Sequence, residues 1–347
     1  MCDNIENTNI KSIQQISTPE QLKIKIPITT NVCGLVTRTR YEIEDVLQRR
    51  IKKLIVIIGP CSIHDKDAAY DYATRLSMAR LRFPNLLIIM RVYFEKPRTV
   101  VGWKGLIMDP DLDNSCNIEK GLELGREIML EINRTNIPIG CEFLDTISAQ
   151  YISDLVSWGA IGARTTESQL HRQLASGLSV PIGFKNTTEG NVGVAINSVK
   201  ACKESHTFLG INGSGNASIV TTEGNPNCHL ILRGGKQPNY HTKDVNTVIN
   251  ECIHKNVLSN IIIDCSHGNS EKKYQNQKLV VDSVCQQIKS GQTNIMGVMI
   301  ESNIFEGNQK LVHKKDLRYG ISITDECVSW EESLILLEKL NNSMEDL

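Results

Sequence analysis

Eight short runs rich in Ile, Leu and Val recur from residue 54 onward, each followed by a loop or a segment of helical period, and this repeat constrains the fold more than any other feature. The runs are LIVIIG (54–59), LLIIMR (86–91), IPIGCEF (137–143), AIGARTT (160–166), PIGFKN (181–186), HLILRGG (229–235), IIIDCSH (261–267) and GVMIES (297–302). Continuously apolar runs belong to strands buried on both faces, as in parallel sheets covered by helices. Between them AAYDYATRLSMARLR, NIEKGLELGREIMLEINR, ESQLHRQLASGL, DVNTVINECIHK and LVVDSVCQQIKS carry helical period, and WEESLILLEKLNNSM lies near the end of the chain. Eight βα units predict an α/β fold, a closed (β/α)₈ TIM barrel rather than an open doubly wound sheet.

Two pieces stand outside the repeat. Residues 1–50 form an N-terminal extension with an expected regulatory or assembly role, and 51–347 form the barrel. TFLGINGSGNASIVTT (207–222) alternates around an Asn-Gly turn, which predicts a β-hairpin inserted before the sixth barrel strand. The extension reads as a polar, weakly periodic arm that adds no strand, so deleting residues 1–45 should leave the barrel able to fold.

With 40% apolar and 22% charged residues the chain can bury a core, which excludes disorder. Lys plus Arg number 38 against 39 Asp plus Glu, so no basic field invites nucleic acid or an anionic membrane, and any anion site must be local. The apolar runs fall far short of the roughly 20 residues needed to span a bilayer. The polar start MCDNIENTNIKS lacks a signal core, which predicts a cytoplasmic protein with reduced thiols. Eleven cysteines, an odd count without a CxxC pair, argue against a disulfide framework or a zinc ribbon.

In a (β/α)₈ barrel the chemistry projects from the carboxyl ends of the strands. Cys61, Arg91, Glu142, Arg164, Lys185, Arg233, His267 and Glu301 fall at or just after the eight runs in turn. Arg91, Lys96, Arg164, Lys185 and Arg233 are five cations at one mouth, where repulsion is tolerable only if an anionic ligand neutralises them; guanidinium forks suit carboxylate and phosphate. Cys61, His267, Glu301 and Asp325 offer a thiolate, an imidazole and two carboxylates, a mixed donor set for a divalent metal. Taken singly, His267 is also a plain core histidine and Cys61 a buried thiol.

GPCSIHD (59–65), MRVYFEKPRTVVGWKGL (90–106), IGARTTESQ (161–169), GFKN (183–186), LRGGK (232–236), DCSHGNS (264–270) and IESNIFEGNQ (300–309) resemble 3-deoxy-D-arabino-heptulosonate 7-phosphate (DAHP) synthase, in its metal-dependent, feedback-regulated type I form. The resemblance extends to STPEQLK and the 207–222 hairpin. It implies condensation of phosphoenolpyruvate with erythrose 4-phosphate, the first step of the shikimate pathway to chorismate and the aromatic amino acids. It implies one divalent metal ion, of the Mn, Fe, Co or Zn class, on Cys61, His267, Glu301 and Asp325, and phosphoenolpyruvate on Arg91, Lys96, Arg164, Lys185 and Arg233. By the same resemblance Arg98 and Thr99 contact the phosphate of erythrose 4-phosphate, Glu142 is an acidic site residue, and Lys96, Lys185, Glu142 and His267 take part in catalysis. An aromatic amino-acid effector, a homo-oligomer (dimer or tetramer), and a Cys327 able to pair with Cys61 on oxidation are also implied. Three other readings stay open: a synthase using a different aldose phosphate, a metal-free aldolase with Lys185 as Schiff base, and a non-catalytic anion sensor.

Overall fold

The computed structural model describes residues 5–97 and 102–345. Ten strands form, β1 (Leu54–Gly59), β2 (Leu86–Arg91), β3 (Ile139–Glu142), β4 (Trp158–Ile161), β5 (Ile182–Lys185), β6 (Thr207–Ile211), β7 (Ala217–Thr221), β8 (His229–Leu232), β9 (Ile261–Asp264) and β10 (Ile295–Glu301). Eight of them close a parallel barrel in the order β1-β10-β9-β8-β5-β4-β3-β2, and β6 pairs only with β7 as the antiparallel hairpin. The predicted (β/α)₈ barrel and its insertion are therefore both present. Every residue of the barrel strands is buried, which is why they read as unbroken apolar runs.

The barrel helices are α3 (Lys66–Ala79), α4 (Ile118–Arg134), α6 (Gln169–Gly177), α7 (Val192–Cys202), α8 (Thr242–His254), α9 (Gln277–Lys289) and α10 (Trp330–Ser343), with a one-turn α5 (Ala149–Ile152) after β3. Side chains alternate along each strand. On β1, Val56 and Ile58 face outward into the layer shared with Tyr72 and Leu76 of α3, and Ile55 and Ile57 face the lumen. The lumen is filled by Ile55, Ile57, Leu87, Ile89, Trp158, Ile231, Ile262 and Met299. Trp158 Nε1 donates to His229 Nε2 at 3.0 Å, so the proton of His229 sits on Nδ1, which meets the Asn227 carbonyl at 3.1 Å. Burial pulls that imidazole down to about 4, and the lumen carries a neutral, fully bonded polar pair.

The N-terminal extension differs from its expected character. It folds as α1 (Pro19–Lys25), capped by Thr18 and Gln21 in a reciprocal box, and α2 (Thr30–Leu47). Ile43, Val46 and Leu47 at the end of α2 are buried with the lumen residues and close the floor of the barrel. The arm adds no strand, as expected, but the end of α2 packs against the lumen residues as a plug. Arg126 on α4, fully buried, donates to the Ile26 carbonyl and forks onto Asp154, tying the arm to the barrel wall.

Only the first two runs match their strands at both ends, and the carboxyl limits differ most at three of the others. The fourth was expected over 160–166, but β4 ends at Ile161, because the Gly162 carbonyl accepts from Thr165 N, Thr166 N and Thr165 Oγ1 and turns the chain. The sixth and seventh end at Leu232 and Asp264, so Arg164, Arg233 and His267 stand on rim loops rather than on strands.

Candidate active site

At the carboxyl ends of the strands lies a cavity of about 370 Å³. Arg91, Lys96, Glu142, Arg164, Lys185, Arg233, His267 and Asp325 line it. Cys61 and Glu301 are fully buried. Arg98 and Thr99 lie outside the described residues. Every other residue singled out from the sequence belongs to this one mouth.

Cys61, Glu301 and Asp325 present ligand atoms that all lie within 4.8 Å of one another. Cys61 Sγ is 3.4 Å from Asp325 Oδ2 and accepts from Lys96 Nζ at 2.9 Å. Burial, reinforced by Glu301, pushes the Cys61 thiol up to about 12. Burial would also raise Asp325, but Lys96 and His267 outweigh it and hold that carboxyl at about 2. His267 stands beside the group with Nε2 3.8 Å from Glu301 Oε1. Glu301 is framed further by Ser266 Oγ, which donates to Oε2 at 2.8 Å, and by Gln277, which bonds its backbone N–H and carbonyl. A buried thiol, two carboxylates and an adjacent imidazole fit one divalent cation of intermediate softness, and few other ligands.

The five cations divide by depth. Arg91 is 1% exposed, and its guanidinium is stacked 3.6 Å from the Tyr93 ring centroid, bonded to the Pro60 carbonyl and paired with Glu301 at 2.8 Å. It therefore links the anion cradle to the metal-ligand group. Lys185, also buried, has Nζ 3.3 Å from Asp264 Oδ2 and 3.8 Å from Glu142 Oε2. Burial lowers the Arg233 guanidinium, Asp264 opposes that, and neighbouring Arg164 lowers it further.

Backbone contacts explain how remote motifs meet here. A Cβ on Gly268 would come within 2.7 Å of Gly235 N, so only glycine allows the two rim loops to touch. Across that contact Gly268 N donates to the Arg233 carbonyl, which sets Arg233 and His267 side by side. Asn186 Oδ1 accepts from Arg233 N, and Asn269 Nδ2 bonds both the Leu232 and Asp264 carbonyls.

Sequence reasoning missed Asp264, Ser266, Gln277 and Asn186, none of which stands out inside an apolar run or a helix. It also missed Glu95, a cavity-lining carboxyl that burial and Asp145 push up to about 7 despite its bonds to Leu144 N and Ser148 Oγ.

Comparison with known proteins gives the family. Residues 25–338 match the DAHP synthetase I family. The chain is 48% identical over 334 residues to the Trp-sensitive phospho-2-dehydro-3-deoxyheptonate aldolase of Escherichia coli K12, covering 96% of each. It is 49% identical over 340 residues to the Phe-sensitive enzyme of the same organism, covering 98% of this chain and 97% of that one. The structure of phospho-2-dehydro-3-deoxyheptonate aldolase from Francisella tularensis SCHU S4 superposes with a TM-score of 0.95 at 47% identity, covering 97% of this chain and 99% of that one. The similarity runs over nearly the full length, and the chain belongs to the DAHP synthetase I family.

Proposed function

We propose that the cavity joins phosphoenolpyruvate to erythrose 4-phosphate, giving DAHP and phosphate, the first step of the shikimate pathway to aromatic amino acids. The chain is an enzyme of the 3-deoxy-7-phosphoheptulonate synthase type. The observation that carries the reading is the convergence of five cations on a cavity lined by His267 and Asp325, with Cys61 and Glu301 buried against them. In the reaction C3 of phosphoenolpyruvate attacks the aldehyde carbon, water adds at C2 and phosphate departs. Arg164, Arg233 and Lys185, with Lys96 and buried Arg91 behind them, neutralise the carboxylate and phosphate and hold the alkene over the aldehyde. Arg98 and Thr99 take the phosphate of erythrose 4-phosphate. Cys61, His267, Glu301 and Asp325 hold one divalent ion of the Mn, Fe, Co or Zn class, which when bound supplies Lewis-acid polarisation. Glu142 and His267 are the cavity groups placed to move a proton at the attacking water or the new alkoxide.

Lys185 is engaged by two carboxylates, the setting of a charged anchor rather than of the free amine that a Schiff base requires. The test is to incubate the purified protein with phosphoenolpyruvate and either erythrose 4-phosphate or arabinose 5-phosphate. Release of phosphate with DAHP from the four-carbon aldose alone supports the reading, and preference for the five-carbon aldose replaces it with the sister synthase.

An aromatic amino-acid effector is part of the proposal. A second cavity, of about 300 Å³, lies between the hairpin and α6, where Leu170, Leu174, Phe208 and Val220 give it an apolar lining. The arm reaches the hairpin tip, with Glu20 N donating to the Gly213 carbonyl at 2.9 Å. On the hairpin's other face Leu209 and Ile219, a cross-strand pair, are 84% and 77% exposed, which suits assembly into a dimer or tetramer. The described cysteines are all free, in keeping with a cytoplasmic setting. Initial rates with Phe, Tyr and Trp in turn identify the effector.

A further inference from the structure

Asp264 closes β9, is fully buried and does not line the cavity. Its Oδ1 accepts from Ser266 N at 3.0 Å. Its Oδ2 lies 2.9 Å from His267 Nδ1 and 3.3 Å from Lys185 Nζ, in contacts aligned as ion pairs rather than as hydrogen bonds. A buried carboxylate with so few partners is costly unless polar or cationic groups face it, and here one oxygen faces both the Lys185 ammonium and the His267 ring.

The structure assigns Asp264 as the positioning residue that turns His267 toward the metal-ligand group. The inference rests on the metal reading given above. An imidazole has two nitrogens, and a carboxylate 2.9 Å from Nδ1 favours the proton on that side by its charge and leaves the Nε2 lone pair for a cation. His267 Nε2 is the nitrogen that faces Glu301. The backbone is shaped for this contact. His267 adopts φ 55°, a left-handed conformation that a residue with a side chain takes at a cost, and so folds back on a residue three positions earlier. Asn269 Nδ2 on the Asp264 carbonyl and Lys272 N on the His267 carbonyl at 2.8 Å hold that turn.

The test titrates Mn²⁺ against a chromophoric chelator in the full-length wild type, Asp264→Asn, His267→Ala and the double variant. It is paired with KM for phosphoenolpyruvate at saturating metal and with ¹⁵N shifts of the His267 ring in metal-free protein. Asp264→Asn is expected to weaken Mn²⁺ binding by roughly 10–100-fold. It should leave KM for phosphoenolpyruvate unraised, since no cavity contact is removed and Lys185 keeps Glu142. In the His267→Ala background it should weaken binding no further, because the effect runs through the imidazole. The wild-type ring should carry its proton on Nδ1, and the variant should lose that preference. Unchanged Mn²⁺ affinity in Asp264→Asn, additive losses in the double variant, or an Nε2-protonated wild-type ring would each overturn the assignment. So would a parallel loss of metal, phosphoenolpyruvate affinity and thermal stability, the mark of a packing role. A wild type that binds no metal overturns the metal reading itself, and is told apart because the wild-type titration alone shows it.

Discussion

At Cys61 the sulfur touches both Lys96 and Asp325, and burial keeps its proton in place far above neutral pH. Nothing in the lumen packing needs a thiol there, so Cys61→Ala should abolish stoichiometric metal binding while the melting profile of metal-free protein changes little. Cys252→Ala on α8, buried away from the mouth, should keep its metal; elemental analysis of both variants checks the contrast. Arg164 and Arg98 separate the two substrates. Arg164→Ala should raise KM for phosphoenolpyruvate by roughly tenfold to a hundredfold with a smaller effect on erythrose 4-phosphate, and Arg98→Ala should do the reverse, since one charge-assisted bond contributes about 1.5–3 kcal/mol. Equal shifts in both constants would show that the residues support general site structure. Most of the charged side chains lining the cavity were legible in the sequence because they stand at the ends of apolar runs. Asp264 was not, because a carboxylate inside IIIDCSH acquires its meaning only when the turn at His267 brings an imidazole back onto it.

At the scale of elements, strands were read correctly because burial on both faces leaves no polar position to confuse the period. Their ends were read too long where the apolar run continues past the last paired residue, as at Gly162. Helix α2 was read as a polar arm for the opposite reason. Thr, Arg and Glu cover most of TNVCGLVTRTRYEIEDVL, and the buried stripe of Val32, Leu35, Val36, Thr39, Ile43, Val46 and Leu47 is narrow. Its final turn carries much of its importance, because among the described residues Ile43, Val46 and Leu47 are the buried members of the lumen cluster that do not lie on strands. Ile43→Ala should therefore destabilise the fold by about 2–5 kcal/mol, measured by denaturant unfolding. Deleting residues 1–15, which are exposed wherever described, should leave stability unchanged, whereas deletion through residue 45 should yield an unstable barrel. A stable, active barrel without residues 1–45 would contradict the plug.

For the whole molecule, the barrel keeps catalysis at one rim and leaves the hairpin to bear on regulation. Segment 144–150 connects the two cavities: Leu144 N bonds Glu95 at the catalytic mouth, and Ile147 and Gln150 line the cavity under the hairpin. Phe208→Ala should accordingly weaken inhibition by the effector by at least several-fold and leave the uninhibited rate intact, because the two sites share an element but no side chain. Retained inhibition in that variant would move the effector elsewhere. The central claim is that one mouth combines an anion cradle with a metal centre that the reaction requires. It is tested by removing bound metal with a chelator, confirming the loss by elemental analysis, and measuring DAHP formation before and after adding Mn²⁺, Co²⁺ or Zn²⁺ singly. The account predicts no turnover in the stripped enzyme and recovery with more than one ion, since a mixed sulfur, nitrogen and oxygen donor set accepts several first-row metals. Full turnover by verifiably metal-free protein would contradict it.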